Sequence, residues 1–147
     1  MKLKKDLDKE KVLDCIKQWI SAYETRDLNA FRTVLSGSES HISWGTGVDE
    51  RYDGINHFLA CVQRDFKQSE GAALKPLSTY IVIHDLCAWV AAEIEPTVNI
   101  NGISQKFEVL RTTIVLSKNG EKWRIEHTHA SWPYPDQDKG QSFPKID

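Results

Sequence analysis

Four long extended stretches fill the second half of the chain: Leu77 to Ile83, Cys87 to Val98, Ser104 to Leu116 and Lys122 to Ser131. Two of the connections between them carry Asn-Gly, at Asn101-Gly102 and Asn119-Gly120. Asn-Gly accepts the positive φ of a two-residue hairpin turn, so it ties consecutive strands as antiparallel neighbours. Parallel neighbours would need a crossover of about a dozen residues or more, and none is present between these runs. The segment is therefore a meander, with a less clearly marked turn near His84-Asp85.

The first half has a different texture. From Asp8 to Tyr23 the apolar positions are Val12, Leu13, Ile16, Trp19, Ile20 and Tyr23, the spacing of an amphipathic helix with Asp6 or Asp8 as N-cap. Arg26-Asp27 breaks it, and Asp27 caps a short second helix through Phe31, Val34 and Leu35 that stops at Gly37. His41-Ile42-Ser43-Trp44 is a short strand. Asp53-Gly54 opens a third helix with Ile55, Phe58, Leu59, Val62 and Phe66 on one face. Helices followed by a meander define an α+β fold of about three N-terminal helices packed on a long, mostly antiparallel sheet. A doubly wound nucleotide fold, which alternates strands and helices, is excluded. The division expected is one domain over 1–133 and an extended tail over 134–147, where prolines and a glycine sit among polar residues.

Charge and composition narrow the function classes. The formal charge is −2 over 147 residues, without the basic footprint of a nucleic-acid binder. No run approaches the ~20 apolar residues of a membrane span, and the N-terminus lacks the apolar segment of a secretory signal. Neither nucleic acid nor a membrane is thus an expected partner, and a small molecule is. The three cysteines, Cys15, Cys61 and Cys87, stand in apolar patterns and read as small buried hydrophobes in a reducing cytoplasm.

The last strand carries the most pointed chemistry. With period two, one face is Trp123, Ile125, His127, His129 and Ser131. That face starts apolar and ends in titratable groups, as the lining of a cavity would. The two histidines suit a general acid or base, a metal pair, or hydrogen bonds that only shape a pocket. The ligand spacing of a zinc site is missing nearby, so neither metal nor cofactor is expected. Arg111 stands on a largely apolar strand face, where it would grip a ligand oxygen or bridge to Glu50 or Asp65. Asp65 flanks the apolar face of the third helix, as a base of raised pKa or as a partner for an arginine. Glu50 precedes that helix, where negative charge suits its N-terminus. Gly45-Thr46-Gly47 is too short for a phosphate loop and reads as a tight strand exit with positive φ. Trp44, Trp89, Trp123 and Tyr23 would wall an aromatic cavity or fill a core. Ser131 has no partners for a hydrolase triad.

Three stretches resemble a known family: Trp44-Gly45-Thr46-Gly47-Val48-Asp49-Glu50 leading through Tyr52-Asp53-Gly54, then Arg111-Thr112-Thr113, then Trp123 through Pro133. With the order of elements, they resemble the cone-shaped nuclear transport factor 2-like superfamily. Within it the chain is similar to the SnoaL-like branch and to the association domain of calcium/calmodulin-dependent protein kinase II. The resemblance implies a curved sheet, a homodimer through its outer face, and a pocket between sheet and helices. It does not supply an activity, because the fold hosts isomerases, cyclases, dehydratases and non-catalytic scaffolds. The carboxylate bases of its isomerases and cyclases have no counterpart on the histidine face of the last strand.

The reading that follows is a small-molecule-binding protein with Trp44, Glu50, Trp89, Arg111, Trp123, His127, His129 and Ser131 around the ligand. One alternative is a cofactor-independent isomerase, cyclase or dehydratase in which His127 or Asp65 moves a proton and Arg111 stabilises the oxyanion. The other is a non-catalytic oligomerisation module.

Overall fold

The computed structural model describes residues 1–37 and 39–146; Asp147, at the end of the expected tail, lies outside them. Three helices, α1 (Lys2–Glu24), α2 (Leu28–Val34) and α3 (Ile55–Gln68), pack on one face of a seven-stranded sheet. Two short strands, β1 (Ile42–Trp44) and β2 (Arg51–Asp53), precede α3. The meander follows as β3 (Gly71–His84), β4 (Cys87–Ile100), β5 (Ile103–Lys106), β6 (Leu110–Asn119) and β7 (Lys122–Ser131). The strand order is β2-β1-β7-β6-β4-β3, with β5 paired to the end of β4. Only β1 and β7 run parallel among the described strands.

Helix α1 extends six residues further toward the N-terminus than the apolar spacing predicts, and neither expected aspartate caps it. Met1 holds the N-cap without a side-chain bond. Asp8 is buried two turns later, accepting from Lys118 Nζ at 2.7 Å and Trp123 Nε1 at 3.0 Å. The Lys118 ammonium, aided by the indole, holds its carboxyl below the usual range against the opposing effect of burial. Asp27 does cap α2, accepting from the amides of Asn29 and Ala30 at 3.0 Å. The core lies between α1 (Val12, Ile16), α2 (Phe31, Val34), α3 (Phe58, Leu59) and the inward residues of β4, β6 and β7, such as Val90, Ile114 and Ile125.

The meander turns where Asn-Gly stands, in two different ways. Ile100 pairs with Ile103, so Asn101 and Gly102 form the whole loop, with φ of 52° and 75°. Asn119 instead pairs with Lys122, so the loop is Gly120-Glu121 and only Gly120 has positive φ, at 61°. The stretch expected as one strand from Ser104 to Leu116 is interrupted. At 107–109 the chain leaves the ladder, the Phe107 amide reaches the Pro96 carbonyl at 2.9 Å, and the Phe107 ring stacks on Trp132.

One irregularity decides which side chains face the helices. Leu116 pairs with Ile125, but its neighbour Val115 pairs with His127. Glu126 is the extra residue of a β-bulge, and a bulge exchanges the faces of everything beyond it. Trp123 and Ile125 point into the core; after the bulge Thr128 and Ala130 take the inner face, and His127, His129 and Ser131 take the outer one.

Candidate functional site

A cavity of about 330 Å³ lies between the inner sheet face and the helices. Trp19 and Tyr23 of α1, Phe58 and Val62 of α3, Phe107 in the break before β6 and Leu110 at its start give it mostly apolar, aromatic walls. Its polar groups are few and clustered on α3 and the loop before it. Asp65 accepts from the Tyr23 hydroxyl at 3.0 Å. The Cys61 thiol lies 2.6 Å from the Tyr52 hydroxyl. Glu50 receives Arg64 Nη2 on one oxygen at 3.0 Å and the Gly47 amide on the other at 2.8 Å.

The Gly45-Thr46-Gly47 segment exists for this carboxylate. Neither glycine has positive φ, contrary to the expectation from sequence. The loop closes by Gly45 N–H to the Glu50 carbonyl at 2.8 Å and Glu50 N–H to the Gly47 carbonyl at 3.1 Å. A Cβ at Gly45 would fall 2.1 Å from Glu50 Oε2, and one at Gly47 would fall 3.0 Å from Glu50 Cδ. Both positions need glycine because a side chain would occupy the place of the carboxylate.

The ligand atoms of Glu50, Cys61 and Asp65 all lie within 4.8 Å of one another. Burial raises the Asp65 carboxyl above the ordinary range, and the nearby Glu50 charge adds to this against the bond from Tyr23. Burial also raises the Cys61 thiol. A metal ion would need these groups ionised, yet Arg64 already sets a cation against Glu50 and stands 3.6 Å from Cys61 Sγ. With the Arg64 guanidinium already against Glu50, the cluster is poorly suited to a dication.

Two further groups line the cavity and are buried without a hydrogen-bond partner among the described residues: Trp19 Nε1 and Thr112 Oγ1. Thr112 is 4% exposed. A polar atom in that state costs free energy unless something supplies its partner. Thr128, also on the wall, donates to Ser43 Oγ at 3.0 Å, which lies 3.0 Å from His41 Nε2. This buried chain ties β1 to β7, and burial holds the His41 imidazole below its usual basicity.

The structure divides the residues singled out from sequence into two groups. Asp65, Glu50 and Tyr23 line the cavity, and Trp44 borders it while its ring sits 6.2 Å from His129 and under Arg51. The remainder do not face it. His127 and His129 lie on the outer face because of the Glu126 bulge, and His127 Nδ1 is spent on the Ile42 carbonyl at 2.7 Å. Ser131 and Arg111 pair across β7 and β6 on that same outer face, with Arg111 exposed. The expected bridge from Arg111 to Glu50 or Asp65 is therefore absent, and Arg64 and Tyr23 take those places. Trp89 is outward because β4 buries Ala88 and Val90, and Trp123 belongs to the core beside Asp8. Cys87 is exposed rather than buried. Trp19, Tyr52, Cys61, Thr112 and Thr128 were read as core or passed over. Tyr52 sits in a three-residue strand too short to leave a periodic signal.

Comparison with known proteins places this geometry in a family. The SnoaL-like domain model matches residues 12–135, and the chain belongs to that family. Its fold is that of the nuclear transport factor 2-like superfamily. A member from Salmonella enterica serovar Typhimurium LT2 superposes with a TM-score of 0.82 at 16% identity, covering 95% of this chain and 99% of that one. A protein from Streptomyces avermitilis, assigned as a dehydratase of the NTF2-like family, gives 0.78 at 15% identity, covering 88% and 98%. A protein from Thiobacillus denitrificans, assigned as a calcium/calmodulin-dependent protein kinase type II association domain, gives 0.68 at 14% identity, covering 82% and 93%. At these identities the likeness is one of fold. No curated protein matches the sequence. No helix is long and apolar enough to cross a membrane.

Proposed function

We propose that this protein binds a small, uncharged, largely apolar molecule carrying acceptor oxygens in the cavity between sheet and helices. The observation that carries the reading is the pair of unpartnered groups on the cavity wall, Trp19 Nε1 and Thr112 Oγ1. An indole N–H only donates, so it calls for an acceptor on the ligand. Aromatic walls supply contact area, and Asp65, whose carboxyl pKa burial raises, adds a further polar group. A carboxylate-bearing ligand, which an inward Arg111 would have favoured, is disfavoured by the Glu50 charge at the site. The test is calorimetric titration with a panel of neutral cyclic ketones and lactones against wild type, Trp19→Phe and Thr112→Val. Each substitution should weaken a binder by about 5–10-fold, the worth of one neutral hydrogen bond, with circular dichroism unchanged. Equal affinity in all three proteins would remove the reading.

A second reading, an acid–base enzyme of isomerase, cyclase or dehydratase type, is favoured by Asp65 lying against Glu50 with its carboxyl pKa raised by burial. In it Asp65 gives a proton to the substrate oxygen and Glu50 accepts one from carbon, so the roles first sought in His127 and Arg111 pass to the α3 cluster. Asp65→Asn should then abolish turnover of any ligand found while leaving its affinity within about threefold. The third class, an assembly module, rests on the outer sheet face. We propose that two copies pair there, since Trp89 and Tyr80 are exposed on it at 43% and 70%. Three free thiols support a reducing compartment such as the cytoplasm.

A further inference from the structure

Away from the cavity, α1, α2 and β7 enclose a second cleft of about 610 Å³. Its charge is one-sided. Lys11, Arg32, Lys122 and Arg124 line it from three elements, with Asp14 as the lining carboxylate and Glu121 beside it on Lys11. The whole chain has a formal charge of −2, so the cations are gathered here against the trend of the molecule. Two of them are engaged, Lys11 with Glu121 at 2.5 Å and Arg32 with Asn56 Oδ1 at 3.2 Å. Lys122 and Arg124 have no side-chain partner among the described residues, and Arg124 is half-buried.

The floor of the cleft is prepared for negative charge as well. Backbone carbonyls of Val34 and Trp123 meet there, and bare carbonyl oxygens would repel an anion. The single S–H of Cys15 donates to one of them at a time, with Sγ 3.8 Å from the first and 3.6 Å from the second. Burial pushes that thiol up to about 12, so it stays uncharged at any physiological pH. A cysteine in this place is a neutral plug rather than a reactive group.

We infer that this cleft is a binding site for a phosphate ester of a small hydroxyl-bearing molecule. The phosphate dianion matches the two unpaired cations, with the Arg124 guanidinium able to meet two of its oxygens at once. Asp14 and Gln18 on the α1 wall accept from and donate to the hydroxyls. The site is separate from the cavity, does not depend on what the cavity binds, and gives the protein a second, chemically opposite ligand class.

Ribose 5-phosphate, titrated into ¹⁵N-labelled protein at 0.15 M salt, tests this. The amides of Thr33, Lys122 and Arg124 should shift saturably while the Trp19 indole signal stays in place. Arg124→Gln should weaken binding by tenfold or more. Lys122→Gln, whose exposed side chain carries no structural load, should weaken it by about threefold and keeps the test valid if the arginine variant folds poorly. Inorganic phosphate should bind the same amides more weakly than the ester. Shifts reproduced by sodium chloride at equal ionic strength, or unchanged in Lys122→Gln, would overturn the site. Equal affinity for inorganic phosphate would overturn the ester. Movement of the Trp19 indole instead would transfer the ligand to the cavity and end this assignment.

Discussion

Two carboxylates less than 5 Å apart in this cavity have different surroundings. Glu50 is wrapped by a glycine loop and met by a guanidinium, whereas Asp65 is half-buried against a phenol. The consequence for stability has a definite sign. A carboxyl with a raised folded-state pKa contributes stability that is fully present below its unfolded value, here 3.8, and is lost as pH rises through the folded value. Denaturation midpoints of wild type and Asp65→Asn measured from pH 3 to 8 should therefore diverge in favour of the variant as pH climbs. Curves that stay parallel would mean Asp65 ionises freely. Both residues were legible in the sequence, Asp65 as an acid flanking the apolar face of α3 and Glu50 as one in the turn before that helix. Trp19 and Thr112 were not, because what marks them is a missing partner, and spacing cannot show that.

At the scale of elements, the turns and the helix spacing were readable while the strand faces were only half so. Asn101-Gly102 specified its hairpin through local backbone preference, which no tertiary contact overrides. Ala in place of Gly102, at a φ of 75°, should cost about 1–2 kcal/mol, read as a lower urea midpoint with an unchanged slope. An unchanged midpoint would show that the loop relaxes to another turn. Alternation, by contrast, holds only while the ladder is unbroken. Trp123 and Ile125 obeyed it, and the residues beyond Glu126 did not, because a bulge is set by pairing with β6 rather than by local sequence. The same limit hid the break at 107–109, where Phe107 leaves the ladder to stack on Trp132. Asp8 likewise looked like a helix cap until Lys118 and Trp123 claimed it.

For the whole molecule, the sheet has a wet chemistry and a dry one on opposite faces. Pairing register aligns Val82, Trp89, Val115, His127 and Ile42 in one row across the outer face, with Tyr80, Ala91, Thr113, His129 and Trp44 in the next. A second copy would cover this surface. Light scattering should find a dimer of wild type and a monomer of Trp89→Glu, and a monomeric wild type would retire the pairing. The faces also carry an evolutionary lesson. Because Glu126 alone sets the phase of the strand's second half, losing that one codon would turn His127 and His129 toward the helices and Thr128 and Ala130 away from them. A lineage built on this cone can therefore exchange an aliphatic and hydroxyl lining for an imidazole one without altering a single lining residue. Alignments that gap this position freely will misassign which side chains a relative offers to its substrate.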